Sequence, residues 1–332
     1  MKTIRKDAYY GTIKKFSEKL LSFYDEATGC FFYPYWQGKT GYANARWQEG
    51  VATLAWLLKK ENNPSLMPKI SKGIDFWCAL QHRNGSFPEY SKHDVSFSAT
   101  AFSLIAITEA IKNTRFEERW IPAIHRAADW LSKNDELVFT NQAAAAALAL
   151  LMAGTLLKDA SYADNAEKKL KIVLGRQDKS GYYLEKKGFD FGYSTLTLEM
   201  LGHIHMQRPT SDILASAQKF IDLVLHADRF ESCRGTGWAI VDGFEIFAGK
   251  CRGGTDALKK ILEKYSFTHL ENESNLCTDM YRLCWAHDNA TTGFDCNVKP
   301  VEPAALALRR QPSKLLNLFR PIGLHRLRKY LW

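Results

Sequence analysis

Two stretches of the chain repeat one another at a constant interval of ninety-six residues, with no gap. Residues 81–104 read QHRNGSFPEYSKHDVSFSATAFSL and residues 177–201 read QDKSGYYLEKKGFDFGYSTLTLEML. Gln81 pairs with Gln177, Gly85 with Gly181, Phe87 with Tyr183 and Glu89 with Glu185. Asp94 then pairs with Asp190, Phe97 with Tyr193 and Ser98 with Ser194. A repeat constrains the fold more tightly than composition does, because each unit buries its apolar face only by stacking on the next.

Half of the interval is present as well. Arg46, Asn141 and Asp242 fall forty-seven to fifty-two residues from Asp94 or Asp190, a sixth, shorter interval reaches Asp279, and each opens or sits in an apolar run. A unit of that length holds two helices of roughly 15 residues and two loops. Six units nearly fill 332 residues. The expected architecture is all-α, an (α/α)6 toroid with a double ring of inner and outer helices over residues 1–308, followed by a tail over 309–332.

Helical spacing supports the alternation. Apolar positions recur with that period over 6–24, where Gly29 supplies the stop, and the pattern resumes at Arg46. Outer helices are expected over 67–80, 117–132, 162–174 and 211–226. Inner helices are expected over 94–112, 141–157 and 190–205, with Asp94 and Asp190 as N-caps or first-turn residues. Residues 256–265, 276–287 and 303–308 complete the count. The alanine run 143–147 suits close helix approach inside a ring. Strand signals are scarce.

Several classes are excluded or disfavoured. The run 143–153 reads as a buried helix, short of the ~18 apolar residues that a membrane span needs. The N-terminus has no apolar signal core, and seven scattered cysteines include no C-x-x-C pair, which points to reduced thiols in the cytoplasm. Cys277, Cys284 and His287 match no zinc spacing, and nucleotide-binding and serine-hydrolase motifs are absent; no metal and no cofactor are expected. The net charge is +9, but residues 309–332 hold seven Lys and Arg and no acid. The body therefore lacks the basic stripe of a nucleic-acid binder. The tail interleaves its cations with Leu, Phe, Tyr and Trp, as a helix lying on the inner, anionic face of a membrane would.

If the inner helices run in one direction, their N-terminal ends share a mouth. Arg46, Asp94, Asn141, Asp190, Asp242 and Asp279 are then expected to circle one funnel. Capping alone accounts for the Asp and Asn residues, but a cation at a helix head opposes the macrodipole, so Arg46 needs a further reason. Carboxylates gathered in one cavity acquire split pKa values and can act as acid and base. Asp94 and Asp190 are the candidate acid and base, Tyr193 a proton carrier, and Asn141 a donor that neutralises charge. Arg46 and Arg234 are candidate carboxylate clamps. Trp47, Tyr90, Tyr183 and Trp238 could face a sugar ring or shelter a carbocation, with Glu89, His93, Glu185, Asp242 and Asp279 completing the lining.

The segments QHRNGSF and QDKSGYY resemble the Q-x-x-x-G-aromatic repeats of terpenoid cyclases and protein prenyltransferase β subunits. The glycine-aromatic turn before an inner helix is also similar to that of toroid polysaccharide lyases and uronyl hydrolases. The resemblance covers residues 46–201 and implies the (α/α)6 fold. The D-x-D-D acid of class II terpene cyclases and the zinc-binding D-x-C of prenyltransferases are missing. The expectation is a carbohydrate-active enzyme on an acidic or surface glycan, acting by glycosidic cleavage, β-elimination or epimerisation. An isoprenoid enzyme and a non-catalytic glycan- or peptide-binding ring are the alternatives.

Overall fold

A computed structural model describes residues 4–31 and 43–291, except residues 187, 234, 236, 266 and 272 and the side chains of 268, 273 and 274. Arg234, the helix expected over 303–308 and the tail 309–332 lie outside the described residues. Among the described residues, twelve α-helices alternate between an outer and an inner ring. The outer helices are α1 (Ile4–Ser22), α3 (Met67–Leu80), α5 (Ile121–Lys133), α7 (Ser161–Gly175), α9 (Ser211–His226) and α11 (Gly254–Lys264). The inner ones are α2 (Gly50–Glu61), α4 (Phe97–Lys112), α6 (Thr140–Leu157), α8 (Phe191–Gln207), α10 (Asp242–Phe247) and α12 (Glu273–Asn289).

Each inner helix touches the next, and α12 returns to touch α2, so the inner ring closes. The first outer helix, α1, packs on α12, which makes a helix after residue 291 unnecessary for closure. Arg5 of α1 forms a bidentate pair with Glu245 of α10, at 2.9 and 3.1 Å, and Tyr9 donates to the same carboxylate at 2.7 Å. All three side chains are buried, so the seam is held by charges that become costly if either partner is removed.

The alanine run lies where close approach is needed. Ala143 to Ala147 are buried on α6, which contacts α4, α5, α7 and α8. Helix α6 is in fact long and apolar enough to cross a membrane by composition, beyond what was expected of the run, and its burial among four helices accounts for that apolarity. One small hairpin, β1 (Leu184–Glu185) with β2 (Gly188–Phe189), precedes α8. Neighbouring inner helices run the same way: Arg46 ahead of α2 reaches Ser98 near the head of α4, and along α10 and α8 Gly243 faces Glu199 while Ile246 faces Gly202.

Candidate active site

The repeat is a clasp between successive outer helices. Gln81 donates its side-chain amide to Gly85 O at 3.0 Å and to Ala123 O of α5 at 2.8 Å. Gln177 does the same to Gly181 O at 3.0 Å and Ser216 O of α9 at 2.9 Å. Gly85 and Gly181 have φ of 96° and 105°, and a Cβ there would lie 2.1 Å from Arg126 O or 2.6 Å from Lys219 O. Only glycine satisfies both the backbone angle and the contact. The aromatic that follows turns into the core: Phe87 stacks on Trp77 at 4.4 Å, and Tyr183 donates to or accepts from Ser216 at 2.7 Å. Tyr183 was expected in the funnel; the turn that positions it directs it away.

Fixing these turns delivers Glu89 and Glu185 to the inner-helix heads. Asn44 caps a short 3-10 helix by accepting from Trp47 N, and its amide donates to Glu89 O at 2.9 Å. That places Arg46 beside two carboxylates. Its Nε donates to Glu49 Oε1, and its Nη1 lies 3.0 Å from Ser98 Oγ and 3.9 Å from Glu89 Oε1. These acids offset a cation that the helix dipole alone would disfavour. Ser96 holds the other Glu89 oxygen at 2.6 Å.

The second repeat builds the same arrangement with a neutral partner. Asn141 donates to Glu185 Oε1 through Nδ2 at 3.0 Å and through its backbone N–H at 3.3 Å. Burial pushes the Glu185 carboxyl up to about 7, against the lowering effect of Asn141. The sequence argument expected repulsion among acids to raise such values; here loss of solvent is the larger cause.

The two aspartates expected to be acid and base behave unlike each other. Asp190 is the N-cap of α8, accepting from Tyr193 N at 3.1 Å and from Ser232 Oγ at 2.9 Å, and it is buried. Asp94 is not a cap, because α4 starts at Phe97 behind Ser96. Set back from the helix, its Oδ2 instead accepts from Glu89 N at 3.2 Å and Tyr90 N at 3.1 Å. Asp94 thus shapes the loop that carries Glu89.

The remaining candidates separate by depth. Tyr90 and His93 are exposed. Partial loss of solvent at the inner side of the ring and the Glu89 charge push the Tyr90 phenol up to about 12, and Arg46, Asp94 and Tyr193 lie close enough to influence it. Tyr193 meets Trp238 edge-on at 5.8 Å, and Trp238 lies 6.4 Å from His269. Trp47 is buried against the core rather than presented to the funnel. Asp242 is not at the mouth. The segment leading to it descends along α8, with Ile240 N donating to Thr195 Oγ1 at 2.9 Å, so α10 starts deep and Asp242 meets His203 at 2.6 Å and Asn289 at 2.8 Å. Asp279 lies within α12, 3.7 Å from Arg282.

The deepest charged cluster was missed. Arg282 pairs with Glu199 of α8, and Phe102 of α4 lies between two guanidiniums, its centroid 4.5 Å from Arg46 and 5.3 Å from Arg282. Burial pushes Glu49 up to about 7 despite Arg46 and Arg282, and raises Glu199 against Arg282 with Asp242 adding to the rise. The available signal was a single charge amid apolar neighbours in an inner helix, as in TLTLEML and MYRLCW. Among the described residues no group of three His, Cys, Asp or Glu side chains could hold a metal ion.

No family model matches the chain, and no curated protein matches its sequence. Solved structures do share the fold. An inactive variant of the alpha-1,6-mannanase GH76A of Salegentibacter sp. HEL1_6, in complex with alpha-1,6-mannotetrose, superposes with a TM-score of 0.63 at 12% identity, over 84% of this chain and 98% of that one. A glycosyl hydrolase family 88 protein from Bacteroides vulgatus gives 0.60 at 9% identity, over 86% and 99%. A D-mannose isomerase gives 0.50 at 15%, over 88% and 93%. At these identities the likeness establishes the helical toroid.

Proposed function

We propose that this chain is a carbohydrate-active enzyme that cleaves or rearranges an acidic or surface glycan at the mouth of the toroid. The observation that carries the reading is the pairing of inner-ring arginines with carboxylates: Arg46 with the buried Glu49 and Glu89, and Arg282 with the buried Glu199 and the half-buried Asp279. Such a surface offers paired donors and acceptors for hydroxyl and carboxylate groups. An isoprenoid pocket would instead be lined by apolar and aromatic groups. The neighbours named above act on or bind sugars by their descriptions, which agrees with the reading.

Glu185 is the proposed general acid or base, since a carboxyl near 7 exchanges protons at neutral pH. Asn141 would hold it and neutralise developing charge, Arg46 would clamp a substrate carboxylate, and Tyr193 would relay a proton. Tyr90 and Trp238 would border the sugar. Asp94 and Asp190 would act through the loop and helix head that they hold. The inactive mannanase variant is substituted at two adjacent aspartates, and this chain contains no Asp-Asp pair, so its own glutamates receive the roles. The basic 309–332 tail is proposed to keep the enzyme at an anionic membrane surface on the cytoplasmic side.

The test is a turnover and binding panel of uronic-acid oligosaccharides, α-1,6-manno-oligosaccharides and prenyl diphosphates, with products followed by mass spectrometry. Glycan turnover that falls at least a hundredfold in Glu185→Gln, with Tm at pH 5 unchanged, supports the proposal. Binding of prenyl diphosphates alone, or no glycan turnover, overturns it.

A further inference from the structure

Arg176, the residue after α7, joins the segments that carry the candidate acid and its donor. Its Nε donates to Thr140 Oγ1 at 2.9 Å, Nη1 to Leu137 O at 2.6 Å, and Nη2 to Val138 O at 2.9 Å and Leu184 O at 3.1 Å. One guanidinium thus ties the end of α7 to the loop ahead of α6 and to β1. Thr140 also donates to Leu184 O, and Leu184 N donates to Arg176 O at 3.0 Å. On its other edge the loop is held by Glu136, whose Oε1 accepts from Val138 N at 2.7 Å and Phe139 N at 3.0 Å. The fastened residues adjoin the site: Thr140 precedes Asn141, and Leu184 precedes Glu185.

We propose that Arg176 is a positioning residue for the reaction at the mouth: it holds Glu185 in register with Asn141 and does not itself touch substrate. The proposal rests on the reading of Glu185 as acid or base and deepens it. The 3.0 Å contact between Asn141 Nδ2 and Glu185 Oε1 joins two separate segments. A displacement of about 1 Å in such a pair can cost roughly a hundredfold in rate. A planar guanidinium presents its donors in a fixed fork that matches all these oxygens at once. A lysine ammonium, with its donors on one atom, cannot span them.

The first repeat reaches the same end by other means. Leu80, buried at the end of α3, stands ninety-six residues before Arg176. Asn44, which matches Thr140 at that interval, there ties helix head to turn by donating to Glu89 O at 2.9 Å. The cation of that unit is Arg46, at the helix head beside Glu89. In the second unit the cation stands at the end of the preceding outer helix, which leaves the head to neutral Asn141. Its charge still reaches the acid. Burial raises the Glu185 carboxyl most, Asn141 and then Arg176 oppose the rise, and Asp190 at the head of α8 adds to it. Leu137 and Val138 are exposed, so water can take over their carbonyls when the guanidinium is removed.

The experiment compares Arg176→Leu, which copies the first unit, with Arg176→Lys in the full chain, first by carboxyl carbon NMR of Glu185. Its titration is expected to move upward by about half a pH unit in Arg176→Leu and by less in Arg176→Lys, which keeps the charge. With an oligosaccharide that the unsubstituted chain turns over, kcat is expected to fall roughly tenfold or more in both variants, with KM within about twofold. A fall in Tm with the titration unmoved, a loss confined to KM, or full kcat in Arg176→Lys would overturn the role. No glycan turnover by the unsubstituted chain would remove the proposed activity and the reaction that Arg176 serves; a moved titration would still show that Arg176 sets the surroundings of Glu185.

Discussion

In the first repeat Glu89 lies against a guanidinium and a serine hydroxyl; in the second, Glu185 lies against a carboxamide. The turns that deliver them share the amide contacts of Gln81 and Gln177, each donating to its own glycine carbonyl and to the next outer helix, while Gln81 alone also accepts from Arg126 Nε at 2.9 Å. A shared scaffold thus presents two acids in different surroundings, one beside a fixed cation and one held by neutral donors and raised to about 7. The asymmetry comes from the preceding unit, where Arg46 and Asn141 occupy matching places. The frame is the same in both units, and one residue at the preceding helix head, Arg46 or Asn141, changes the surroundings of the acid.

The largest effect should come from breaking the frame itself. Gly85→Ala and Gly181→Ala force a side chain into positive φ against a backbone oxygen, and we expect losses on the order of 3–5 kcal/mol in urea denaturation. Gly85 should be the worse of the two, since its Cβ would lie 2.1 Å from Arg126 O against 2.6 Å from Lys219 O for Gly181. The reverse order would mean that the two clasps are not strained alike.

The raised carboxyls set a pH dependence. Glu49 and Glu185 move from an ordinary 4.5 to about 7 in the fold. The folded state then binds more protons between those values, so this stability is complete below pH 4.5 and is lost as pH rises through 7. At ~1.4 kcal/mol per pH unit each group contributes roughly 3 kcal/mol. Tm should fall between pH 5 and pH 8, and Glu185→Gln or Glu49→Gln should flatten that slope. A slope unchanged in both variants would show that neither group titrates there.

Equivalence of the clasps is tested by Gln81→Ala and Gln177→Ala. Gln177→Ala removes two hydrogen bonds and Gln81→Ala three, the third being the one Gln81 Oε1 accepts from the exposed Arg126 Nε at 2.9 Å, so losses of about 1–2 kcal/mol apiece are expected in urea denaturation, with Gln81 the larger by ~0.5 kcal/mol. The smallest effect concerns the acid itself. Asn141→Leu removes the side-chain amide that helps hold the Glu185 carboxyl down and leaves the backbone N–H in place, so its titration, followed by carboxyl carbon NMR, should move upward by up to about one pH unit. A downward move would place the cause elsewhere than in Asn141.

The repeat's spacing made the ring legible, and with it the burial of the alanine helix and the delivery of Arg46, Asn141, Glu89 and Glu185 to adjoining helix heads. Identity of residue type did not guarantee identity of role. Asp94 and Asp190 match at the fixed interval, yet α8 starts directly after its aspartate while α4 starts behind Ser96, and those few residues turn one carboxylate into a cap and the other into a loop anchor.

Periodicity and the Q-x-x-x-G-aromatic turns therefore determined the double ring from sequence alone, because both express local packing needs that recur in every unit. Which charges meet across the axis was decided only by the tertiary structure. Glu49, Phe102, Glu199 and Arg282 lie on different helices far apart in the chain, and depth within the ring, where α10 starts late and α12 runs past Asp279, sets their neighbours. Closure brings those levels together, and no local pattern records a level.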